Sequence, residues 1–340
     1  QRGKLHKLLD LWVKGLSFNW EQLHGEAKPR RISLPTYPFA RERYWVRDGF
    51  QAERLQTVAQ GAGQLHPLVH RNTSSLIEQR FSSFFTGQEF FLRDHVVQGR
   101  KVLPGVAQLE LARVAVSHAL ELAGSGAVGQ LAPSVQLQGV VFARPVVVGD
   151  SGVEVHIALE PQESGTVVFE VYSGEGDDEV VHSQGRAVLV GEPSLDVVMP
   201  GWDLPALHAQ CTGLELAGAA CYEWLAGLGL AYGPAMQALV SLKTGRDAQG
   251  RAQVLGQLKL PVVVNARGQD FALHPSLMDG ALQATAGLML DEDGGHQAAL
   301  PFALEQLEVF SAVPAQAWVW VRYSAGSRAQ DAVRKLDLGE

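Results

Sequence analysis

Hydrophobic spacing along the chain switches between a helical and a strand period. From Val102 to Leu122 the polar residues Glu110, Arg113, Ser117 and Glu121 recur at intervals of three and four, and nearly every other position is apolar. That spacing predicts a largely buried helix with one narrow polar stripe. Pro104 suits its start, because the first helical turn has no intrahelical acceptor for an N–H there. A strand period follows. Val153, Val155, Ile157 and Leu159 alternate along Val153–Glu160, the mark of a half-buried strand. Pro161–Gly165 reads as a turn, Thr166–Tyr172 as a second strand, Gly174–Asp178 as another turn and Glu179–Val190 as a third strand. Connections this short imply an antiparallel meander, since parallel neighbours need long crossovers.

After a connection punctuated by Pro and Gly, from Pro193 to about Leu214, the pattern repeats. Leu239–Lys259 reads as a hairpin around Asp247-Ala248-Gln249-Gly250. His274-Pro275 opens a helix expected to reach about Leu290, and Leu304–Phe310 and Ala317–Tyr323 are expected to close this second unit as strands. Each half thus holds one buried helix and several antiparallel strands, an α+β arrangement of helix on sheet.

The first 48 residues differ in character. Leu8, Leu9, Leu11, Trp12 and Leu16 suggest a short amphipathic helix. In Lys28–Phe39, Pro35 and Pro38 favour an extended path. Tyr37, Phe39, Tyr44 and Trp45 ask for a surface to bury against, while the arginines at 30, 31, 41, 43 and 47 read as a solvated face with snorkelling stems. Gly61-Ala62-Gly63 marks a boundary. The expected organisation is a docking linker over 1–63, an N-terminal half over 64–193, a connection over 194–214, a C-terminal half over 215–326 and the start of a further linker over 327–340.

The 340 residues are 46% apolar and 19% charged, an ordinary globular mixture. A net charge of −8 argues against general nucleic-acid binding. The two cysteines, Cys211 and Cys221, lack Cys-x-x-Cys partners, so neither a metal site nor a disulfide framework is expected. They read as buried thiols in a reducing compartment. No apolar run approaches the length of about 18 residues that a membrane span needs, and no charged-then-apolar leader opens the chain. A chain that begins at Gln1 and ends on the polar stretch Ser327–Glu340 is expected to be cut from a longer cytoplasmic multidomain polypeptide.

Three segments carry candidate chemistry. Asp94–Gly105 contains His95-x3-Gly99-x4-Pro104 just before the first buried helix. An imidazole in an apolar pocket there stays neutral and can accept a proton. Gly99 permits a tight turn that aims the ring, and the amides at the helix start, near Gly105, are free donors at the positive dipole end. A thioester carbonyl could rest on them while its α-carbon loses a proton. In His274–Gln283, Asp279 and Gln283 are four apart on one helix face among Met278, Ala281, Leu282 and Ala284. A carboxyl so surrounded resists ionisation and can serve as an acid, oriented by Gln283. In Leu230–Gln237, Gly233-Pro234 makes a sharp turn that can present the Tyr232 hydroxyl. Taken singly, these are ordinary features: a capping histidine, a dipole-favoured aspartate, a packed aromatic at a turn.

Together, His95-x3-Gly99-x4-Pro104, Tyr232-Gly233-Pro234 and His274-Pro275-x3-Asp279-x3-Gln283 resemble the three signatures of polyketide synthase dehydratase domains, in that family's order and approximate separations, over about residues 64–326. Arg31–Phe39 through Tyr44-Trp45, with Leu11–Gly15 and Trp20, resembles the linker after a ketosynthase in assembly lines without built-in acyltransferases. The resemblance implies a double hot-dog fold, in which two buried helices are each wrapped by a curved antiparallel sheet. It also implies dehydration of a β-hydroxyacyl thioester to the α,β-unsaturated thioester. His95 would be the base and Asp279 the acid. Tyr232 and Gln283 would support Asp279, and the Gly105 amide would polarise the carbonyl, with Gly99, Pro104 and Pro234 shaping the turns. The substrate would arrive on the phosphopantetheine arm of an acyl carrier protein, with no cofactor or metal bound by the domain. Expected partners are that carrier, a neighbouring ketosynthase and other synthase domains of the same polypeptide, and a second copy in a homodimer, in a bacterial cytoplasm. Met236 departs from the family, which often has an aromatic there, and this bears on substrate preference. Rival activities on the scaffold are oxa-cyclisation, double-bond shift, thioester hydrolysis, and carrier binding without catalysis. Asp279 favours dehydration over isomerisation, because isomerising relatives typically replace it.

Overall fold

The computed structural model describes residues 7–8, 11–15, 17, 64–122, 134–162, 165–190, 201–264, 270–290 and 301–339. Residues 1–55 and 56–340 form separate compact units. In the first, Lys7–Leu8 and Leu11–Val13 are helical, within the stretch whose spacing predicts a helix. The aromatic and arginine-bearing stretch 28–48 and Gly61–Gly63 lie outside the described residues.

Along the chain the second unit runs β1 (Arg71–Asn72), β2 (Gln79–Phe85), α1 (Phe90–Arg93), β3 (His95–Val97), β4 (Arg100–Lys101), α2 (Gly105–Leu122), β5 (Ser134–Phe142), β6 (Val153–Pro161), β7 (Thr166–Ser173) and β8 (Val180–Val190). It continues with α3 (Leu204–Gln210), β9 (Glu215–Ala217), α4 (Gly218–Gly227), β10 (Leu230–Tyr232), β11 (Leu239–Arg246), β12 (Ala252–Lys259), α5 (Pro275–Gln283), α6 (Ala286–Leu290), β13 (Ala303–Leu307), β14 (Gln316–Tyr323) and β15 (Leu336–Gly339).

The strands make a seven-stranded sheet ordered β1-β2-β6-β7-β8-β5-β13 and a five-stranded sheet ordered β15-β14-β12-β11-β9. All their pairings are antiparallel. Helix α2 is seated in the first sheet: Ala107, Leu111, Ala112, Ala115 and Val116 share one buried cluster with Phe81, Phe85, Ile157 and Phe169. Each large side chain fully buried there contributes about 1.5–3 kcal/mol relative to exposure, and the alanines let the helix approach the sheet closely. Helix α5 occupies the second sheet, with Leu277, Ala281 and Ala284 packed among Leu239, Leu242, Val254, Leu258 and Val319. This is the double hot dog. A third, small sheet, β10-β3-β4, joins the halves, because β3 precedes α2 while β10 belongs to the second half.

Four features depart from the pattern reading. The strand expected from Leu304 to Phe310 ends at Leu307 and pairs with β5 of the first sheet rather than closing the second. Leu304 and Leu307 pack on the first core; apolar residues in a short strand do not name the sheet that receives it. The helix expected to reach Leu290 breaks after Gln283, where Thr285 turns its hydroxyl onto the Leu282 carbonyl at 2.6 Å. Residues 336–339, within the stretch read as a further linker, form the edge strand β15 against β14. Glu110, on the polar stripe of α2, is fully buried. It holds Arg113 through two contacts of 2.7 and 2.9 Å and accepts the Ala272 N–H at 2.9 Å, tying the α2 helix to the segment that leads into α5.

Removing that carboxylate leaves the Ala272 amide without an acceptor and Arg113 without its partner. Glu110→Ala is expected to cost about 2 kcal/mol, read as a lower denaturant midpoint with an unchanged slope.

Candidate active site

The hairpin β3–β4 explains the spacing around His95. Gln98 and Gly99 have φ of 48° and 76°, both left-handed, as a two-residue type I′ turn requires. Val97 pairs with Arg100 and Val96 with Lys101, so the register carries Val102 opposite His95. Val102 N–H donates to the His95 carbonyl at 3.2 Å, and the imidazole Nδ1 lies 2.7 Å from the Val102 carbonyl oxygen. A carbonyl can only accept, so Nδ1 carries the hydrogen and Nε2 the lone pair. The ring is buried. Pro104 follows as the residue before α2, its carbonyl accepting from Ala107 and Gln108 at 3.0 and 3.3 Å. Gly105 is the first residue of α2, so its amide is among the donors that the helix itself leaves without an acceptor. It packs closely on the Phe142 ring, where an added Cβ would lie 3.3 Å from two ring atoms.

Strand β10 brings the second segment to the other edge of β3. Tyr232 stands directly opposite His95, so both side chains project from the same face, with ring centroids 5.6 Å apart at 64°. Asp94 holds the turn that follows. Its carbonyl accepts the Gly233 N–H at 2.8 Å, and its side chain accepts the Ala235 N–H at 2.8 Å. A Cβ on Gly233 would lie 2.5 Å from the Asp94 carboxyl carbon, so only glycine passes there. Pro234 opens the short 3-10 turn Pro234–Met236. Burial acts to raise the Asp94 carboxyl, but the Arg93 guanidinium and the Ala235 amide outweigh it and hold its pKa below the ordinary 3.8.

The third segment comes from α5. Pro275 takes its first position, and the His274 ring caps it by accepting the Ser276 N–H at 3.2 Å. Ser276 donates to the Ala235 carbonyl at 2.6 Å, locking the helix to the 3-10 turn. Asp279 and Gln283 face inward together, both buried, with Gln283 Nε2 donating to Asp279 Oδ2 at 2.7 Å and to the Met236 carbonyl at 3.2 Å. Burial raises the Asp279 pKa, while the nearby His95 and the Gln283 hydrogen bond act the other way. Tyr232 is close to the same carboxyl and amide, and burial drives its hydroxyl pKa upward. Burial also pulls His274 down to about 4. Met236 is fully buried, its sulfur 3.8 Å from the Ser276 hydroxyl.

All eight residues singled out in the sequence are therefore found on the β3–α2 corner or on the β10 and α5 segments that meet it. Two others escaped pattern reading. Asp94 sits beside His95 after the apolar Phe90-Phe91-Leu92, and an acid in such a run was the available signal. Tyr222, on α4, belongs to no motif; its hydroxyl donates to Gln283 Oε1 at 2.8 Å and accepts the Leu239 N–H at 2.9 Å. Among the described residues no cluster of His, Cys, Asp and Glu could hold a metal ion, and no helix is long and apolar enough to cross a membrane. Both cysteines are buried free thiols, and burial raises Cys221 to about 11.

Comparison with known proteins yields matches along most of the chain. Residues 66–174 match the family model of the polyketide synthase dehydratase domain, and residues 202–338 that of the polyketide synthase dehydratase N-terminal domain. Polyketide synthase PksN of Bacillus subtilis is 44% identical over 99% of the chain, which spans only 6% of that protein's length. The crystal structure of a trans-AT PKS dehydratase domain from Brevibacillus brevis is 48% identical, with a TM-score of 0.73 over 82% of this chain and 92% of that one. The dehydratase domain of RzxB from Pseudomonas fluorescens is 30% identical, with a TM-score of 0.66 over 81% and 93% of the two chains.

The Asp94 clamp has a pH signature. A carboxyl whose folded pKa is depressed stabilises the fold above its unfolded pKa, and that stability is lost as pH falls through the folded value. Asp94→Asn is expected to lower the thermal midpoint at neutral pH, and the difference from the native chain should shrink once pH drops below about 3.8. A difference that persists unchanged into strong acid would mean that the carboxylate's charge plays no part.

Proposed function

The chain belongs to the polyketide synthase dehydratase family, and we propose that it removes water from a β-hydroxyacyl thioester carried on an acyl carrier protein, leaving the α,β-unsaturated thioester. One observation carries this reading: a histidine whose tautomer is set by a backbone carbonyl shares a buried site with a carboxyl that burial keeps toward its neutral form. A ring nitrogen with a free lone pair beside a carboxyl inclined to its neutral form is what a paired acid–base elimination needs.

His95 Nε2 takes the α-proton, and the electron pair moves into the α–β bond. The thioester carbonyl rests on the α2 amides near Gly105, where developing negative charge meets free donors and the positive end of the helix dipole. Asp279 enters protonated and gives its proton to the departing β-hydroxyl, which leaves as water. The imidazole ends protonated and Asp279 ionised, and one proton transfer through solvent resets both. Tyr232 and Gln283 flank the carboxyl, and Gly99, Pro104 and Pro234 set the turns that aim these groups. Loss of water changes no oxidation state, so the acid–base pair accounts for the whole bond change. The acyl chain would arrive on a phosphopantetheine arm, and the carrier, a ketosynthase and other synthase domains would be neighbours in a much longer polypeptide, with a second copy forming a homodimer.

Intact mass spectrometry of a carrier protein loaded with a β-hydroxyacyl chain tests this directly. The native chain is expected to remove one water and His95→Ala none. Release of the free acid, or an unchanged mass with every hydroxyl configuration, would overturn dehydration in favour of hydrolysis or of a module that only binds carriers.

Asp279→Asn is expected to slow dehydration by about 100- to 10,000-fold, the usual worth of a general acid. The same change should stabilise the fold. A carboxyl whose folded pKa is raised binds more protons folded than unfolded, so it weakens stability as pH rises above the unfolded value. The thermal midpoint of Asp279→Asn should therefore exceed the native one at neutral pH, with a gap that closes below about pH 3.8.

A further inference from the structure

We propose that Tyr222 is a positioning residue for the acid, fixing the Gln283 amide so that the acidic proton of Asp279 sits on Oδ1, facing away from the amide, rather than on Oδ2. The proposal rests on the dehydratase reading above and deepens it.

Some groups around Gln283 can only donate and others can only accept. Leu239 N–H is an obligate donor, and it is 2.9 Å from the Tyr222 oxygen. With that oxygen accepting from the backbone, the phenolic hydrogen is directed to the other partner, Gln283 Oε1, at 2.8 Å. The amide nitrogen is thereby turned to the opposite side, where the Met236 carbonyl, an obligate acceptor, lies 3.2 Å away. The same nitrogen donates to Asp279 Oδ2 at 2.7 Å. A flipped amide would set its oxygen against the Met236 carbonyl and leave the tyrosine hydrogen facing an NH2 group, two mismatches between buried groups. The relay is thus anchored at both ends in backbone, at Leu239 and Met236, and these two ends favour one orientation; the Tyr232 hydroxyl also reaches the Gln283 side chain, but it can donate or accept and so does not choose between the two orientations.

The chemical consequence concerns the neutral acid. A carboxylic acid has one carbonyl oxygen and one hydroxyl. Because Oδ2 accepts from Gln283, it is the carbonyl oxygen, and the proton rides on Oδ1. With the amide reversed, Gln283 Oε1 would accept the proton from Oδ2 and hold it where no substrate hydroxyl can take it. That arrangement would also favour the protonated form, since an amide oxygen can pair only with the neutral acid. Tyr222, Leu239 and Met236 touch no reacting atom in this account; they act through Gln283.

Three variants of the full chain test the relay: Tyr222→Phe, Gln283→Leu, and the two combined. On carrier-bound β-hydroxyacyl substrate, Tyr222→Phe is expected to lower kcat about 10-fold, part of the about 100- to 10,000-fold that a general acid supplies, with KM within about twofold. The double variant should be no slower than Gln283→Leu alone, because Tyr222 acts only through that amide. A carbon-13 NMR titration of the Asp279 carboxyl should place its midpoint at higher pH in Tyr222→Phe than in the native chain. Gln283→Glu gives a second route that leaves Tyr222 intact and guards against a Phe variant that fails to fold. It keeps an acceptor for the tyrosine but presents a second acceptor to Asp279, so it should also slow kcat and raise the carboxyl's midpoint. Multiplicative losses in the double variant, or an unmoved titration with full kcat in either Tyr222→Phe or Gln283→Glu, would overturn the proposal. If the native chain itself removes no water, the dehydratase reading fails, while the NMR titration still decides whether Tyr222 orients the amide.

Discussion

The pairing of β3 with β10 is the constraint on which the rest of the site depends. Each half brings its own helix and its own apolar core, and His95 and Asp279 come from different halves. One three-residue antiparallel ladder sets Tyr232 across from His95, and its register fixes where the Asp279 helix must lie. A slip of one residue in that ladder would turn Tyr232 to the other face. Asp94 guards against the slip by holding two successive turns of backbone, at Gly233 and Ala235, from the residue next to His95. Ser276 completes the lock from α5.

The polar groups of the candidate site are buried and form a connected set. An unpaired buried amide or hydroxyl costs about 1–3 kcal/mol, so the site can exist only if nearly every donor meets an acceptor. Val102, Leu239, Met236 and Ala235 supply backbone partners to His95, Tyr222, Gln283 and Ser276. Backbone groups suit this task because their positions are held by the sheets. Among the described residues of the α5 segment, His274 Nε2 is buried with no hydrogen-bond partner although the ring caps α5. Stacking on Phe90 and the edge contact with Phe271 hold that ring by its faces and rim instead.

In its proposed role, Asp279 sets function and stability in different directions. A carboxyl whose pKa burial raises weakens the fold at pH values where it ionises in the unfolded chain. The surrounding cores offset this. The Glu110–Arg113 pair, by contrast, meets its charge with a good partner and an additional amide. The two buried carboxyls thus differ in their partners, Asp279 meeting the Gln283 amide and Glu110 a guanidinium and a backbone amide.

Much of this was legible in the chain. The alternation in Val153–Val190 and the helical spacing in Val102–Leu122 determined an antiparallel meander and a buried helix, because side-chain period follows directly from backbone geometry. His95-x3-Gly99-x4-Pro104 encodes a two-residue turn and a helix start, which are local and so readable. Asp279 and Gln283 share a face by helix geometry alone. What only the tertiary structure decided is everything that depends on which surfaces meet. The apolar positions Leu304 and Leu307 do not name a sheet, and β13 joined the first. The apolar run after His274 does not show that Thr285 would interrupt it. The tie from Tyr222 to Gln283 spans 61 positions, and that from Asp94 to Ala235 spans 141. No local period records such contacts, because they arise only when the two cores have packed and the remaining polar groups must find one another.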